Sequence, residues 1–156
     1  MLRMTTRKLR LLAVSVAVAA MVAGRSLPVS ARDDHLKFPI APALGTPDAK
    51  AKLDPKIALY FGKAAHPSGA DLGTFTTNKK TNAVGKTDQV ACEWVFLSAL
   101  IALQERARQL QATAVVGIES IYKNDPFSSE TEFMCGAGSF VAGVALRGQF
   151  IRAGGK

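Results

Sequence analysis

The sequence predicts an α+β fold in which a small antiparallel β-sheet packs against one long α-helix and is held by one disulfide. The chain from Thr87 to Ala112 contains no glycine or proline and repeats its apolar residues at helical spacing. Segments rich in β-branched and aromatic residues follow it directly, as strands do. The only two cysteines are Cys92 and Cys135. A helix followed by a hairpin is typical of a sheet covered on one face by the helix.

The first 31 residues have the pattern of a secretory signal peptide. The residues from Leu11 to Gly24 form an apolar core, and Val29, Ser30 and Ala31 offer the small residues of a cleavage site. A basic region precedes this core, formed by Arg3, Arg7, Lys8 and Arg10. We therefore expect cleavage after Ala31 and export to the periplasm or the outside of the cell. The alternative is an uncleaved membrane anchor, but the core is shorter than the roughly 20 residues that span a bilayer.

After the cut, residues 32–53 contain three prolines and little periodicity. This composition predicts a flexible N-terminal arm. Residues 54–156 then form a single α+β domain, because a chain of this length fits one hydrophobic core.

Two short strands are expected before the helix. The apolar run from Lys56 to Gly62 predicts the first strand, and Thr74 to Thr77 predicts the second. The polar run from Asn78 to Gly85 is expected to be a loop that exposes Lys79 and Lys80 to solvent.

The helix is expected to begin at Thr87, a good N-cap residue, and to pack one face on the sheet. The apolar positions that we expect in the core include two aromatic residues and are Val90, Trp94, Phe96, Leu97, Leu100, Ile101 and Leu103.

Two strands are expected after the helix. Thr113 to Tyr122 predicts a strand that enters a turn. Glu132 to Ile151 predicts one long, bent terminal strand, whose glycines are candidate bulges or close-packing points.

The cysteines predict an intramolecular disulfide, since disulfides persist in the oxidising compartments to which exported chains go. A metal or redox pair is the alternative, but the CxxC spacing of such sites is absent. Cys92 lies in the predicted helix and Cys135 in the predicted terminal strand, so the bond would join helix to sheet.

The charge of the chain does not indicate a nucleic-acid partner. The whole sequence has a net charge of +8, but five of its 20 basic residues precede the expected cut, which leaves +3. The remaining basic residues are scattered rather than clustered in a patch.

No complete catalytic motif is found, so we expect no enzyme and no cofactor. Gly85, Lys86 and Thr87 resemble the end of a phosphate-binding loop, but Lys80 stands where its first glycine should be. No serine lies in a Gly-x-Ser-x-Gly turn. Glu105 and Glu119 form no recognisable acid–base pair.

A metal-binding module is the alternative function. The histidines are His35 and His66, and His35 follows Asp33 and Asp34. This Asp-Asp-His cluster has oxygen and imidazole donors for a divalent cation, and reduced cysteines would add thiolates. Without further ligands in the pattern, we assign no metal site.

Several segments of the chain resemble a family of small exported proteobacterial proteins. These segments are Thr81–Lys86, Ala91-Cys92, Ala107–Ala112, Thr113–Val116, and Cys135 with the glycine-rich strand after it. Members of that family often carry the label "excinuclease ATPase subunit", which the residues do not support because the ATP loop is incomplete.

More distantly, the helix and the strands that flank it are similar to the YbjQ-type heavy-metal-binding fold and to the envelope-stress lipoprotein RcsF. The similarity implies a helix packed on a sheet, and the RcsF relation implies a helix cysteine bonded to one on a later strand. RcsF has a lipid-bearing N-terminus and four cysteines, whereas this chain has no lipid acceptor at the cut and two cysteines.

Together these features predict an exported, disulfide-stabilised domain that binds without catalysis. Its partner is expected to be another envelope protein or a second copy of the chain, with no nucleic acid and no membrane anchor after cleavage. The glycine-rich strand is a candidate for self-association or for contact through a sheet edge.

Overall fold

The long helix and the strand that follows it lie where the sequence predicts them. The computed structural model describes residues 31–154, and these belong to one structural unit that begins at Ala31. The predicted signal peptide, apart from Ala31, lies outside the described residues. In chain order the elements are β1 (Asp34–Pro39), α1 (Ile40–Gly45), α2 (Pro47–Lys52), β2 (Ala58–Phe61), β3 (Gly69–Asn82), α3 (Asp88–Leu110), β4 (Ala114–Ser120), a 3₁₀ turn (Tyr122–Asn124), β5 (Glu132–Ala137) and β6 (Val141–Ala153).

The sheet is larger than predicted and it is mixed. Its six strands follow the order β1-β5-β6-β4-β2, and β3 also pairs with β6. All pairs are antiparallel except β2 with β4, which is parallel. The long helix α3 intervenes in the chain between β2 and β4, as a parallel connection requires. The α+β class is therefore correct, whereas the small antiparallel sheet is not.

The segment predicted as a flexible arm is instead part of the folded unit. Strand β1 pairs with β5 from Asp34 to Pro39, and Leu36 and Phe38 pack against the core. Pro47 starts α2, where the missing N–H of proline costs nothing, and Thr46 caps it by accepting a bond from the Ala49 N–H at 3.2 Å. Two of the three prolines that indicated irregular chain thus mark the ends of regular elements, Pro39 at the end of β1 and Pro47 at the start of α2, and Pro42 lies inside α1.

Strand β3 continues through the polar run that was expected to be a loop. It reaches Asn82, and Lys79 and Lys80 pair with Val144 and Gly143 of β6. An edge strand tolerates polar and charged side chains, because lysines there discourage pairing with another chain. Polarity was therefore a poor signal of strand termination at this edge.

The predicted terminal strand is two strands joined by a tight turn. In this turn the Gly138 N–H donates to the Val141 carbonyl at 3.0 Å. β6 pairs with β3 along its length on one edge and with β5 and then β4 on the other. Both edges of the glycine-rich strand are therefore occupied within the described chain, and the predicted edge contact through it is wrong.

The glycines of the hairpin make room for an aromatic side chain. A Cβ atom on Gly136 would lie 2.0 Å from the Tyr122 ring, and one on Gly143 would lie 3.0 Å from it. Tyr122 thus lies flat over two facing glycines, which confirms that these positions are close-packing points rather than bulges.

The core lies between α3 and the sheet. Phe96 of the helix stacks on Phe133 of β5 with ring centroids 3.9 Å apart, and Phe61 packs on the other side of Phe96 at 6.1 Å. Phe75 of β3 meets Phe150 of β6 edge to face at 5.2 Å. The Phe96 contacts join the helix to β2 and β5, and the Phe75–Phe150 contact joins β3 to β6.

Candidate binding surfaces

The predicted disulfide joins α3 to β5. Cys92 and Cys135 are bonded across 43 positions of sequence, and both are fully buried. Their sulfur atoms are bonded to each other and shielded from solvent, so in this form they are neither thiolate ligands nor accessible redox groups. The disulfide therefore has the structural role that the sequence predicts.

The outer face of α3 exposes the only tryptophan of the chain. Trp94 keeps 49 % of its surface accessible, and Val90, one turn earlier, is also exposed. Both were expected in the core, and that prediction is wrong. The helix buries the face that carries Cys92 and Phe96, and Trp94 lies two residues from each, about 200° around the helix axis.

Trp94 forms one wall of a groove between α2 and α3. The groove has a volume of about 150 Å³ and is lined by Thr46, Asp48, Val90, Glu93, Trp94 and Leu97. The Lys52 ammonium lies 4.7 Å from the centre of the Trp94 ring and 2.9 Å from an Asp48 carboxylate oxygen. The groove therefore already holds a cation against an aromatic face.

A second carboxylate in the groove has no cationic partner. Glu93 accepts a hydrogen bond from the Gln89 side-chain amide at 2.9 Å. Within residues 31–154, no lysine, arginine or histidine forms a salt bridge with it. We call the groove with its Trp94 ring, its two carboxylates and Lys52 the Trp94 groove.

The sheet face opposite α3 carries a wider, polar groove of about 290 Å³. Arg147 and Glu119 face each other there, with the Arg147 Nε donating to a Glu119 carboxylate oxygen at 2.9 Å. His66, Thr74 and Gln149 also line it. Because Arg147 and Glu119 neutralise each other, this surface presents no unmatched charge to a ligand.

The Asp-Asp-His cluster is not brought together as a cation site. Asp33 binds the Tyr122 hydroxyl and the Lys123 ammonium, whereas Asp34 pairs with Arg32 at 2.7 Å. His35 lies edge-on to Tyr122, with ring centroids 5.1 Å apart. No group of three or more His, Cys, Asp or Glu residues within 31–154 is arranged to hold a metal ion.

The residues that resemble a phosphate-binding loop have local structural roles. The Lys86 ammonium donates to the Asn82 carbonyl at 2.8 Å. Thr87 is the N-cap of α3, as predicted, and its hydroxyl accepts from the Val90 N–H at 3.3 Å. Lys86 and Thr87 thus build the turn and the start of the helix.

The two glutamates that were considered as an acid–base pair have different environments in the structure. Glu105 is exposed on α3, and Glu119 is engaged by Arg147. The Ser120 hydroxyl is buried and accepts from the Met134 N–H at 2.9 Å, so it joins β4 to β5.

No helix within the described part of the chain is long and apolar enough to cross a membrane. Comparison of the chain with models of protein families, with curated proteins and with solved structures finds no match.

Proposed function

We propose that the protein is an exported, disulfide-stabilised domain that acts without catalysis by binding another component of the cell envelope. The buried Cys92–Cys135 bond supports an oxidising location. The signal-peptide pattern of residues 1–31 supports export.

The observation that carries the binding role is the half-exposed Trp94 beside Lys52. Tryptophan is enriched among the residues that dominate binding energy, and exposed tryptophan with an adjacent apolar side chain is typical of a contact surface. Lys52 supports a cationic ligand for the groove, since its ammonium lies over the ring and against Asp48. Glu93 offers a further carboxylate to an incoming cation. The partner therefore presents a lysine or arginine side chain to the Trp94 groove.

Lys52 is then an internal competitor for the site, and its removal tests the proposal. A tetralysine peptide serves as the probe, and Trp94 fluorescence reports binding because the chain contains one tryptophan. We expect a saturable fluorescence change, and Lys52→Ala should tighten binding roughly two- to fivefold, the value of an exposed cation–π contact.

The matched control is Lys50→Ala, which removes the same charge from the same helix at an exposed position. It should tighten binding less than Lys52→Ala, since Lys50 leaves the Trp94 face untouched. A peptide that never saturates the signal, or equal effects of the two substitutions, would contradict the proposed groove.

A further inference from the structure

A second exposed apolar surface lies at the turn end of the β5–β6 hairpin. The Ala83 N–H donates to the Phe140 carbonyl at 2.9 Å and joins this turn to the connection between β3 and α3. Three large apolar side chains are exposed there: Val84, Phe140 and Val141. Phe140, with 74 % of its surface accessible, is the most exposed large hydrophobic residue in the described chain. We call these three residues the hairpin-tip patch.

The three residues lie close together in the fold. Val141 pairs with Asn82, two residues before Val84, and Phe140 precedes Val141 directly. Single exposed apolar residues are ordinary, whereas a group of neighbouring ones is a candidate interaction site. Within residues 31–154, the remaining exposed large hydrophobics are Val90 and Trp94, which line the Trp94 groove.

Two lysines without carboxylate partners lie beside the patch. Lys80 of β3 faces Gly143, two residues beyond Val141 on the same face of the sheet, and Lys86 lies in the turn after Val84. Lys79 pairs with Val144 and lies on the opposite face of β3. Neither Lys80 nor Lys86 forms a salt bridge within the described chain.

The acidic residues near this end are partly neutralised. Arg32 pairs with both Asp34 and Asp88, so the three side chains together keep one negative charge. Hydrogen bonds from Arg32 to these two carboxylates raise its pKa above the ordinary range, so the guanidinium stays charged. The two positive charges of Lys80 and Lys86 exceed this single negative charge, so the surface beside the patch stays positive.

The chain also enters the domain at this end. The Arg32 carbonyl lies 2.9 Å from the Cβ position of Gly138 in the hairpin turn. Arg32, the first residue after the expected cleavage, therefore lies beside the patch.

From these observations we infer that the hairpin-tip patch docks on the surface of an anionic phospholipid bilayer. Phe140, Val84 and Val141 enter the boundary between headgroups and acyl chains, and Lys80 and Lys86 contact lipid phosphates. An apolar surface flanked by basic residues is what such peripheral binding requires. This inference concerns a different surface from the Trp94 groove and does not depend on it.

The test is sedimentation of the purified protein with vesicles that contain phosphatidylglycerol and with vesicles of pure phosphatidylcholine. We expect binding to the anionic vesicles, weakened by added salt. Phe140→Ser should lower the partition coefficient about tenfold, because the variant lacks the apolar ring that leaves water when the wild type binds. Replacement of Lys80 by glutamine should lower it roughly fivefold, and replacement of Lys79, on the opposite face of β3, should lower it less.

Trp94→Ser is the matched control, because it removes a larger exposed apolar side chain from another surface. It should leave vesicle binding unchanged, and circular dichroism should show that all variants keep the fold. Absence of binding to anionic vesicles would overturn the inference. Equal binding to both kinds of vesicle, insensitive to salt, would overturn the role of the lysines and with it the proposed site.

Discussion

Gln104 is a buried amide on α3 that fixes the segment before β2. Its side-chain oxygen accepts from the Asp54 N–H at 2.8 Å, and its side-chain nitrogen donates to the Asp54 and Ile57 carbonyls, each at 2.9 Å. With 2 % of its surface exposed, it satisfies three backbone groups that have little access to water. Its position one turn after Leu100 and directly after Leu103 places it on the buried face of the helix despite its polar side chain.

Replacement of Gln104 by leucine should destabilise the protein by about 2–4 kcal/mol, because buried backbone donors and acceptors lose their partners. Urea denaturation followed by circular dichroism measures the change. Gln109→Leu, at an exposed position of the same helix, should stay within about 0.5 kcal/mol of the wild type. If the two variants have equal stability, the three hydrogen bonds contribute nothing.

Trp94 and Phe96 show what the sequence could predict at single residues and what it could not. Both lie in a helix whose apolar residues recur on more than one face, so periodicity alone did not select the buried one. The disulfide identifies the buried face of the helix, because Cys92 must face β5 to bond with Cys135. Phe96 then shares the inner face and Trp94 is left outside. The Trp94 groove was consequently beyond prediction, because α2, its other wall, was expected to be flexible chain.

Among the elements, those with a clear local pattern in the sequence were predictable. Strands that depend on a distant partner were not. Helix α3 has an N-cap and no breaking residue, so its position follows from the sequence alone. β4 follows from its β-branched residues in the same way. β1 and the polar half of β3 are strands because β5 and β6 provide edges for them. That cause lies far away in the chain, where local composition does not reveal it.

The disulfide between Cys92 and Cys135 should contribute about 4 kcal/mol to the free energy of unfolding, because a bond that closes a loop of this length restricts the unfolded chain. We expect the Cys92→Ala, Cys135→Ala double variant to lose about this much stability in urea denaturation. The wild type in reductant is the control, since it keeps both sulfur atoms and loses only the bond. A reduced protein within about 1 kcal/mol of the oxidised one would show that packing of α3 on the sheet suffices.

At the scale of the whole molecule, the described domain has two exposed apolar surfaces with different surroundings. The Trp94 groove has carboxylates and holds a cation, whereas the hairpin-tip patch is flanked by lysines. A groove that attracts cations and a patch that attracts anions would hold different partners. Both proposed partners belong to the cell envelope, so both surfaces depend on export for their function.

Export is therefore the prediction that decides the others. We expect the intact mass of the protein recovered from the periplasm to fit a chain that begins at Arg32 and is about 2 Da lighter than its reduced form, as one disulfide requires. Ala31→Arg should block processing, because the cleavage site needs a small residue at this position. A wild-type protein that retains its leader in the membrane would instead support the uncleaved anchor. Two free thiols would be the more serious result, because they would remove the support for an oxidising compartment and restore the cysteines as possible metal ligands.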